Sequence, residues 1–436
     1  MNAGQKDKGG RDTIYALSSG SPPAAIALIR LSGPRASDAL VALGGRLPAP
    51  RQATLAALRH PRTGELLDTG LVLNFPAPAS ATGEDIAELH LHGGRSVVAA
   101  VLAALETIEG LRPAAAGEFT RRAFDNGRID LTEAEGLADL LLAETQSQRR
   151  AALALAGGSL TRQVEDWQRQ VLALGAAVEA ALDFADEDDV AVELPAGWHE
   201  ELAALADALA AALARPPAER LRDGLRVVIA GPPNVGKSTL LNALAGREAA
   251  ITSAIAGTTR DLVEAPTAIA GTPFLLIDTA GLRASSDEIE AIGVARAEAS
   301  IAAADLILWL GDPQDCPDSA RTIIVRSKCD IVAHAPDHGG LQVSPITGAG
   351  MDELTDRLIA CARRLLPGDA DVPLYARHRA ALHKCLDAIV AAQHEPDIIL
   401  VAEALRSARV ALDRVTGRAG VEDMLDTLFA RLCIGK

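Results

Sequence analysis

The motif GPPNVGKS, from Gly231 to Ser238, constrains the fold of this 436-residue chain more than any other feature. It directly follows the apolar segment LRVVIA and precedes TLLNALAG, which has helical character. In this strand–loop–helix context, backbone N–H groups and a helix N-terminus cradle phosphate oxygens, so the motif predicts a nucleoside-triphosphate site. We expect the Lys237 ammonium to reach the β- and γ-phosphates and the Ser238 hydroxyl to ligate Mg²⁺.

Three further segments follow in the order typical of guanine-nucleotide hydrolases. Thr258-Thr259-Arg260 offers a switch threonine, and we expect Thr259 to ligate Mg²⁺. DTAG ends a strand-like run, so that Asp278 is placed for a direct or indirect Mg²⁺ contact and the Gly281 N–H for the γ-phosphate. SKCD follows another such run, and the Asp330 carboxylate can accept both N1–H and N2–H of guanine. Together these segments predict GTP as the nucleotide.

The residue after DTAG is Leu282, where a glutamine orients the attacking water in many such enzymes. Leucine cannot hydrogen-bond to water, so another side chain has to position it. Asp287, Glu288 and Glu290 are the nearby carboxylates, and their spacing alone does not decide among them.

The remainder of the chain predicts a multidomain α/β and α architecture. An N-terminal α+β domain is expected at residues 1–126, because short strand-like runs alternate there with turns and helices. These runs include LLDTGLVLNF and DIAELHLHG, and the second alternates Glu88 and His90 with Leu89 and Leu91. Helical periodicity on both sides of the nucleotide motifs, including one apolar stripe from Leu160 to Leu182, predicts a split helical bundle, with its parts at 127–222 and 368–436. An α/β domain at 223–367 is then inserted between them. Thr132 and Glu135 are expected to form a capping box at the start of the first bundle helix.

Composition excludes several classes of protein. With 58 acidic against 42 basic residues the formal charge is −16, which argues against a general nucleic-acid coat. No apolar run approaches the ~20 residues that span a bilayer, and the polar start shows no secretory signal. The five scattered cysteines predict neither a disulfide framework nor a zinc site. A cytoplasmic location is therefore expected.

With these residues in view, the chain resembles the MnmE (TrmE) family, the tRNA uridine-modification GTPases. The resemblance covers nearly the whole chain and rests on several independent segments. They include TGED from Thr82 to Asp85, the HGG motif ending at Gly94, GEFTRRAFDNGRIDLTEAEGLADLL, and the tail Leu-Cys-Ile-Gly-Lys ending at Lys436. It implies an N-terminal folate-binding and dimerisation domain, a split helical domain and an inserted Ras-like G domain.

The resemblance also implies a function and its partners. A homodimer joins a flavin-dependent protein (MnmG/GidA) as a heterotetramer, which adds an aminomethyl or carboxymethylaminomethyl group to carbon 5 of the wobble uridine in certain tRNAs. GTP, Mg²⁺, K⁺ and a tetrahydrofolate derivative (5-formyl or 5,10-methylene) are the implied cofactors. Two alternatives remain at this point: a GTPase switch that scaffolds RNA or ribosome assembly, and a divergent member with weakened nucleotide binding.

For the nucleotide site, the resemblance implies a potassium ion beside the phosphates. Asn234 matches a potassium-ligating asparagine, and Ser253, Ile255 and Thr258 match the loop that completes the ion's coordination. K⁺ there can neutralise transition-state charge as an arginine finger does elsewhere. Glu290 matches the family's catalytic glutamate, which positions the water that Leu282 cannot.

For the folate site, Arg30, Glu84, Arg128 and the terminal Lys436 match ligand-contacting positions. Basic groups suit the carboxylates of folate, and a carboxylate suits the N–H groups of its pterin ring. Cys433 is implied near this site and is a candidate for the modification chemistry. Without the resemblance, the four charged residues would be interpreted as solvated surface.

Three segments depart from the family pattern. Ser327 replaces the asparagine that usually begins the guanine motif, and Pro345 replaces an alanine whose N–H would face the guanine O6. Ser21-Pro22-Pro23-Ala24-Ala25 replaces a glycine-rich stretch that leads to the strand of Arg30. The other implied nucleotide-contacting positions are Val235, Gly236, Thr239, Ala254, Ala256, Gly257, Thr279, Ala280, Lys328, Ser344 and Ile346.

Overall fold

The computed structural model describes residues 12–184, 194–247, 263–279, 297–331, 339–368, 371–418, 428–429 and 435. Within these ranges the chain forms two compact units. One unit consists of the described residues of 1–138 together with those of 416–436, and the other consists of those of 139–415.

The first unit contains a six-stranded sheet with the order β3-β4-β5-β2-β1-β6. All neighbouring strands are antiparallel except β1 and β6, which are parallel. The strands are β1 (Thr13–Leu17), β2 (Ile26–Ser32), β3 (Thr54–Arg59), β4 (Leu66–Phe75), β5 (Ile86–His92) and β6 (Leu111–Pro113). The helices are α1 (Ala36–Gly44), α2 (Arg95–Glu106), α3 (Glu118–Asp125) and α4 (Leu131–Leu142).

The alternation predicted for the β5 segment sets the two faces of this sheet. Leu89 and Leu91 are buried in a core shared with α1 and α2, because side chains alternate between the faces along a strand. Glu88 and His90 therefore point to the opposite face, on which Leu55 and Leu71 are exposed.

The capping box at the start of α4 differs from the predicted one. The Asp130 carboxylate accepts the Glu133 N–H at 2.8 Å, and the Glu133 carboxylate accepts the Asp130 N–H at 2.9 Å. Thr132 lies inside the helix and donates its hydroxyl to Asp130. The prediction of Thr132 and Glu135 was wrong. Asp130 and Glu133 have the same three-residue spacing, and Asp130 directly precedes the first helical residue, Leu131.

The described part of the C-terminal segment packs on the N-terminal segment within the first unit. The Ser18 hydroxyl donates to the Gly435 carbonyl at 2.7 Å. Gly435 has φ +98°, and a Cβ there would lie 2.4 Å from the Leu17 carbonyl oxygen, so only glycine fits. The buried Phe429 ring lies 6.4 Å from that of Phe124.

The second unit contains a helical bundle that is interrupted in sequence by an α/β segment. Buried residues before the interruption, such as Trp167 and Leu205, share one core with Leu382 and Leu412 after it. This shared core confirms the split bundle. Its helices are α5 (Gln146–Ala156), α6 (Ser159–Phe184), α7 (Trp198–Leu213), α11 (Ala376–His394) and α12 (Ile398–Thr416), whereas the short helix α8 (Glu219–Arg222) packs Leu221 in the core of the inserted sheet.

The inserted segment forms a second six-stranded sheet with the order β12-β11-β10-β7-β9-β8. Its strands are parallel except for the antiparallel pair β8 and β9. The strands are β7 (Leu225–Ala230), β8 (Val263–Ile269), β9 (Thr272–Asp278), β10 (Leu306–Trp309), β11 (Thr322–Arg326) and β12 (Leu341–Gln342); the helices are α9 (Lys237–Arg247) and α10 (Met351–Leu365). The loop after β7 lies at the carboxyl edge between two oppositely wound halves, where open α/β sheets bind ligands.

The two ends of the insert meet. The Ala218 N–H donates to the Leu374 carbonyl at 3.1 Å, and Arg215 lies 3.4 Å from the Asp371 carboxylate. Helix α5 touches both cores, because Leu155 is buried in the bundle while Ala151 packs against the core of the sheet. The observed sheets and bundle confirm the predicted fold class, whereas the predicted domain limits stay predictions. No helix among the described residues has the length and apolarity that crossing a membrane requires.

Candidate functional site

The loop after β7 has the backbone conformation that its glycines allow. Gly231 and Gly236 have φ of +146° and +100°, and Asn234 between them is also left-handed at +62°. A Cβ on Gly231 would lie 3.1 Å from Leu310. The buried Lys237 donates its ammonium to the carbonyls of Gly231 at 3.0 Å and Pro232 at 2.7 Å. The loop is thus wrapped around a cation that can donate equally well to phosphate oxygens.

Two of the predicted Mg²⁺-site residues lie in direct contact. The Ser238 hydroxyl donates to the Asp278 carboxylate, and Asp278 is buried at the end of β9. The neighbouring Thr279 hydroxyl donates to the Ile229 carbonyl at 2.9 Å, which fixes the start of DTAG against β7. Oxygen ligands of this kind, one hydroxyl and one carboxylate, fit Mg²⁺.

The guanine-motif segment contacts the P-loop through two side chains. The Ser327 hydroxyl donates to the Val235 carbonyl, and the Lys328 ammonium donates to the Asn234 carbonyl at 2.7 Å. Lys328 itself is left-handed, with φ +62°. Asp330 is exposed, so its carboxylate is accessible to a base.

The last nucleotide motif is joined to the guanine-motif segment by backbone. The Cys329 N–H donates to the Val343 carbonyl at 3.3 Å, next to the buried Ser344. The Ser344 hydroxyl accepts the Thr347 N–H at 3.2 Å, which closes the turn containing Pro345. Ile346 in this turn is 76% exposed. The structure therefore brings the P-loop, SKCD, the turn at 344–346 and the described part of DTAG to one edge of the sheet.

Several predicted positions lie outside the described residues, and their roles stay predictions. They are Ser253, Ala254, Ile255, Ala256, Gly257, Thr258, Thr259, Ala280, Gly281, Leu282, Asp287, Glu288, Glu290, Cys433 and Lys436. Of the nucleotide-contacting set, the exposed Thr239 lies in the first turn of α9.

A second candidate site is an open cleft of about 380 Å³ in the first unit, lined by Arg30 and Arg128 among others. Arg30 lies directly opposite Glu88 in the register of β2 and β5. Its Nε and Nη2 donate to Glu88 Oε1 at 3.0 and 2.7 Å. The His90 Nε2 lies 3.4 Å from the other carboxylate oxygen. The cleft thus presents a guanidinium and a carboxylate as a fixed pair.

Glu84, the carboxylate that sequence reasoning placed at this site, is not among the residues that line the cleft. It accepts hydrogen bonds from the Ser32 hydroxyl at 2.8 Å and from Arg122 Nη1 at 3.1 Å. Sequence reasoning missed Glu88, because only the observed register of β2 and β5 places it opposite Arg30.

Arg122 is the centre of a buried charge network beside the cleft, with a side chain only 7% exposed. Besides Glu84 it donates to the Asp12 carbonyl at 2.8 Å and to Glu118 Oε1 at 3.1 Å. Burial by itself raises the pKa of Glu118, but hydrogen bonds from Arg112, the Ala115 N–H and Arg122 outweigh it and lower that pKa to about 2.

The segment from Ser21 to Ala25, which departs from the family pattern, is held against the HGG motif. The Ala24 N–H donates to the Gly93 carbonyl at 3.0 Å, and the Gly93 N–H donates to the Ala25 carbonyl at 3.4 Å. A Cβ on Gly93 would lie 2.2 Å from the Ala24 carbonyl oxygen. This close approach requires glycine at that position of the motif.

Comparison with known proteins agrees with this geometry. The family model described as "GTP-binding protein TrmE N-terminus" matches residues 13–128, and the model "MnmE helical domain" matches residues 131–433. A protein of Rhizorhabdus wittichii named tRNA modification GTPase MnmE is 59% identical over 98% of this chain and 97% of its own length. A protein of the same name from Novosphingobium aromaticivorans is 54% identical over 98% of this chain and 100% of its own.

Among solved structures, the G domain of the T. maritima FeoB iron transporter resembles part of the chain. It is 26% identical and covers 32% of this chain and 98% of its own. Its TM-score of 0.24 is too low for the likeness to carry weight.

Proposed function

Since this chain belongs to the MnmE (TrmE) family of tRNA modification GTPases, we propose that potassium stimulates its GTP hydrolysis and that this hydrolysis drives wobble-uridine modification. Family membership makes it a GTP hydrolase that acts in tRNA modification. The finer proposal is that, with the flavoprotein MnmG/GidA, it adds a (carboxymethyl)aminomethyl group to uridine C5 in the cytoplasm, using a tetrahydrofolate one-carbon unit.

The observation that carries this proposal is the presence of two built sites in one chain. One is the P-loop with its buried Lys237 and the Ser238–Asp278 contact. The other is the cleft with the Arg30–Glu88 pair and Arg128. A GTPase that only scaffolds assembly would have no use for the second site.

At the nucleotide site, Lys237 binds the β- and γ-phosphates and offsets their charge. Ser238 and Asp278, with Thr259, would hold Mg²⁺, which would supply positive charge against the phosphate oxygens. Asn234, with Ser253, Ile255 and Thr258, holds K⁺, which would supply the positive charge of an arginine finger.

Glu290 would position the attacking water, because Leu282 has no polar atom with which to do so. Asp330 binds the guanine edge, and Ser327 and Pro345 leave it fewer neighbouring contacts than the family pattern provides.

In the cleft, we propose Glu88, in place of Glu84, as the carboxylate that pairs with the pterin N–H groups of a bound tetrahydrofolate. The derivative, 5-formyl or 5,10-methylene, would supply the one-carbon unit. Arg30 orients Glu88 by donating to one of its oxygens, and Arg128 contributes positive charge for the ligand's carboxylates. Cys433 and Lys436 are proposed to act at this site because the tail that contains them matches the family's.

A homodimer is supported by the second face of the N-terminal sheet. Leu55 is 65% exposed and Leu71 43% exposed, and they lie opposite each other on β3 and β4. Exposed apolar side chains that adjoin on a sheet face suit burial against a second copy.

GTP hydrolysis measured in K⁺ and in Na⁺, for the wild-type chain and for Glu290→Ala, tests the nucleotide part of this proposal. We expect faster hydrolysis in K⁺ and a large loss on substitution; equal rates in the two salts would remove the potassium claim. Mass spectrometry of tRNA nucleosides from cells lacking the protein tests the modification. An unchanged wobble-uridine profile would favour the scaffolding switch instead.

A further inference from the structure

The cleft of the first unit contains an arginine that neither the motifs nor the Arg30–Glu88 pair accounts for. Arg51 precedes β3 and lines the cleft together with Arg30 and Arg128. Among the described residues that line it, Glu88 is the only acid, so three guanidinium groups face one carboxylate. The chain as a whole carries a formal charge of −16. A locally basic cleft in so acidic a chain selects an anionic ligand.

Arg51 is held in place by its backbone and by its side chain. Its N–H donates to the Asn74 carbonyl at 2.8 Å, and its φ of +60° is unusual for a residue with a side chain. Its guanidinium donates to the Ala79 carbonyl and lies 5.6 Å from the centre of the Phe75 ring. Most of its five N–H donors thus remain for a ligand. A non-glycine residue in this conformation beside a cleft is a mark of function.

The sheet sets the distance between Arg51 and the Arg30–Glu88 pair. Glu88 lies on β5, whereas Arg51 precedes β3 and is bonded to the side of β4 that faces away from β5, so two strand spacings separate the backbones of Arg51 and Glu88. Two strand spacings are about 10 Å. The cleft therefore has two chemically different ends, with a carboxylate for N–H donors at one and a guanidinium for an anion at the other. Its volume of about 380 Å³ falls in the range of small-molecule sites.

Arg128 and Arg51 both line the cleft, and both lie against the connection between β4 and β5. Gly83 approaches Arg128 so closely that a Cβ there would lie 3.2 Å from its Cγ, and Ala79 of the same β4–β5 connection accepts from Arg51. One connection thus lies against both arginines, and two cations close together suit the two carboxylates of one glutamate.

We propose that Arg51 is the specificity-determining residue for the glutamyl carboxylates of the reduced folate, which Arg128 helps to bind. This inference rests on the proposed function, since it assigns the anionic end of the ligand whose pterin end Glu88 would bind. Arg51 is a binding residue in this scheme and has no part in GTP hydrolysis.

The test compares two ligands on the full-length protein by calorimetry: 5-formyl-tetrahydrofolate and 5-formyl-tetrahydropteroate, which lacks the glutamate. For the wild type we expect loss of the glutamate to weaken binding about tenfold or more, as removal of a charge-assisted hydrogen bond does. In Arg51→Gln we expect that ratio to fall below about threefold, with Arg51→Lys in between. Arg46→Gln, which changes an exposed arginine that does not line the cleft, should keep the wild-type ratio.

Each outcome has a distinct meaning. If Arg51→Gln keeps the full ratio while its thermal midpoint is unchanged, Arg51 does not contact the glutamate and the inference is wrong. If the wild type binds the two ligands equally, no residue of the cleft recognises the glutamate, and the inference again fails while folate binding stands. If the wild type binds neither ligand, the folate part of the proposed function fails as well.

Discussion

The two six-stranded sheets hold their functional side chains in different ways. In the N-terminal sheet, Arg30 and Glu88 come from neighbouring strands and bind each other. At the P-loop, the cations of Lys237 and Lys328 bind backbone carbonyls of the loop itself. Carbonyls at an accessible loop can be resolvated when a ligand takes the cation, whereas breaking the partly buried Arg30–Glu88 pair leaves a charge without its partner. We therefore expect side-chain changes to affect chemistry at the P-loop, but both stability and binding in the N-terminal unit.

The largest expected effect is on GTP hydrolysis in Lys237→Ala. Loss of the buried ammonium should slow hydrolysis by about 10²- to 10³-fold, because preorganised positive charge at the phosphates is removed. The thermal midpoint should change little. Hydrolysis rates and thermal unfolding measure the two effects, and Lys384→Ala, an exposed lysine of α11, serves as the control. If Lys237→Ala lost as much unfolding free energy as we expect Arg122→Gln to lose, the contrast between the two regions would be wrong.

Arg122→Gln should lower the local free energy of unfolding of the first unit by about 3 kcal/mol, because Glu84 and Glu118 lose their buried partner. All three tryptophans lie at residues 139–415, so fluorescence does not report on this unit. Hydrogen exchange of peptides from β2 and β5 measures the local free energy of unfolding of this unit instead. Arg121→Gln, an exposed neighbour on α3, should have little effect, and GTP hydrolysis should remain at the wild-type rate.

Glu88→Gln should weaken binding of 5-formyl-tetrahydrofolate about tenfold, because a charged acceptor is lost from the cleft. Glu84→Gln is the matched variant, and its main effect should be on stability, since its carboxylate accepts from Arg122. Calorimetric titration of both variants with 5-formyl-tetrahydrofolate tests whether Glu88 serves ligand binding and Glu84 serves stability. The reverse pattern would return the ligand-binding role to Glu84.

Acid should destabilise the first unit through Glu118. The pKa of this group is near its ordinary value of 4.5 when unfolded and about 2 when folded, so its contribution to the free energy of unfolding is full above about pH 4.5 and is lost as the pH falls towards 2. Above this window we expect the free energy of unfolding of the first unit to be about 1 kcal/mol higher in the wild type than in Glu118→Gln. The difference is this small because solvent screens part of the interaction. Calorimetric unfolding from pH 6 to 3 measures the difference, and an advantage that grows on acidification would contradict the sign.

The smallest expected effect is a gain in GTP affinity of about threefold in Ser327→Asn, which restores a carboxamide next to Asp330. Cys329→Ser in the same segment is the control. Nucleotide titration measures the change, and an unchanged affinity would mean that the Ser327 contact with the Val235 carbonyl already positions the segment adequately.

Features that depend on residues close together in the sequence were predicted, whereas features that depend on contacts between distant segments were not. The P-loop and the strand LLDTGLVLNF, found at Leu66–Phe75, follow from local patterns of glycine and alternation. The apolar stripe from Leu160 to Val178 is buried along α6 as predicted. Glu88 escaped prediction because its pairing with Arg30 depends on the register of two strands about 60 residues apart, which local pattern leaves open.

The meeting of Ala218 and Leu374 has a consequence for how such a chain can be rebuilt. The nucleotide-binding segment begins and ends at adjacent points of the bundle. It can therefore be removed from the chain or exchanged for another domain, with a few residues bridging the gap. A bundle closed in this way would retain its apolar interior. By the same reasoning, a single gene insertion is enough to add the segment without disrupting the bundle.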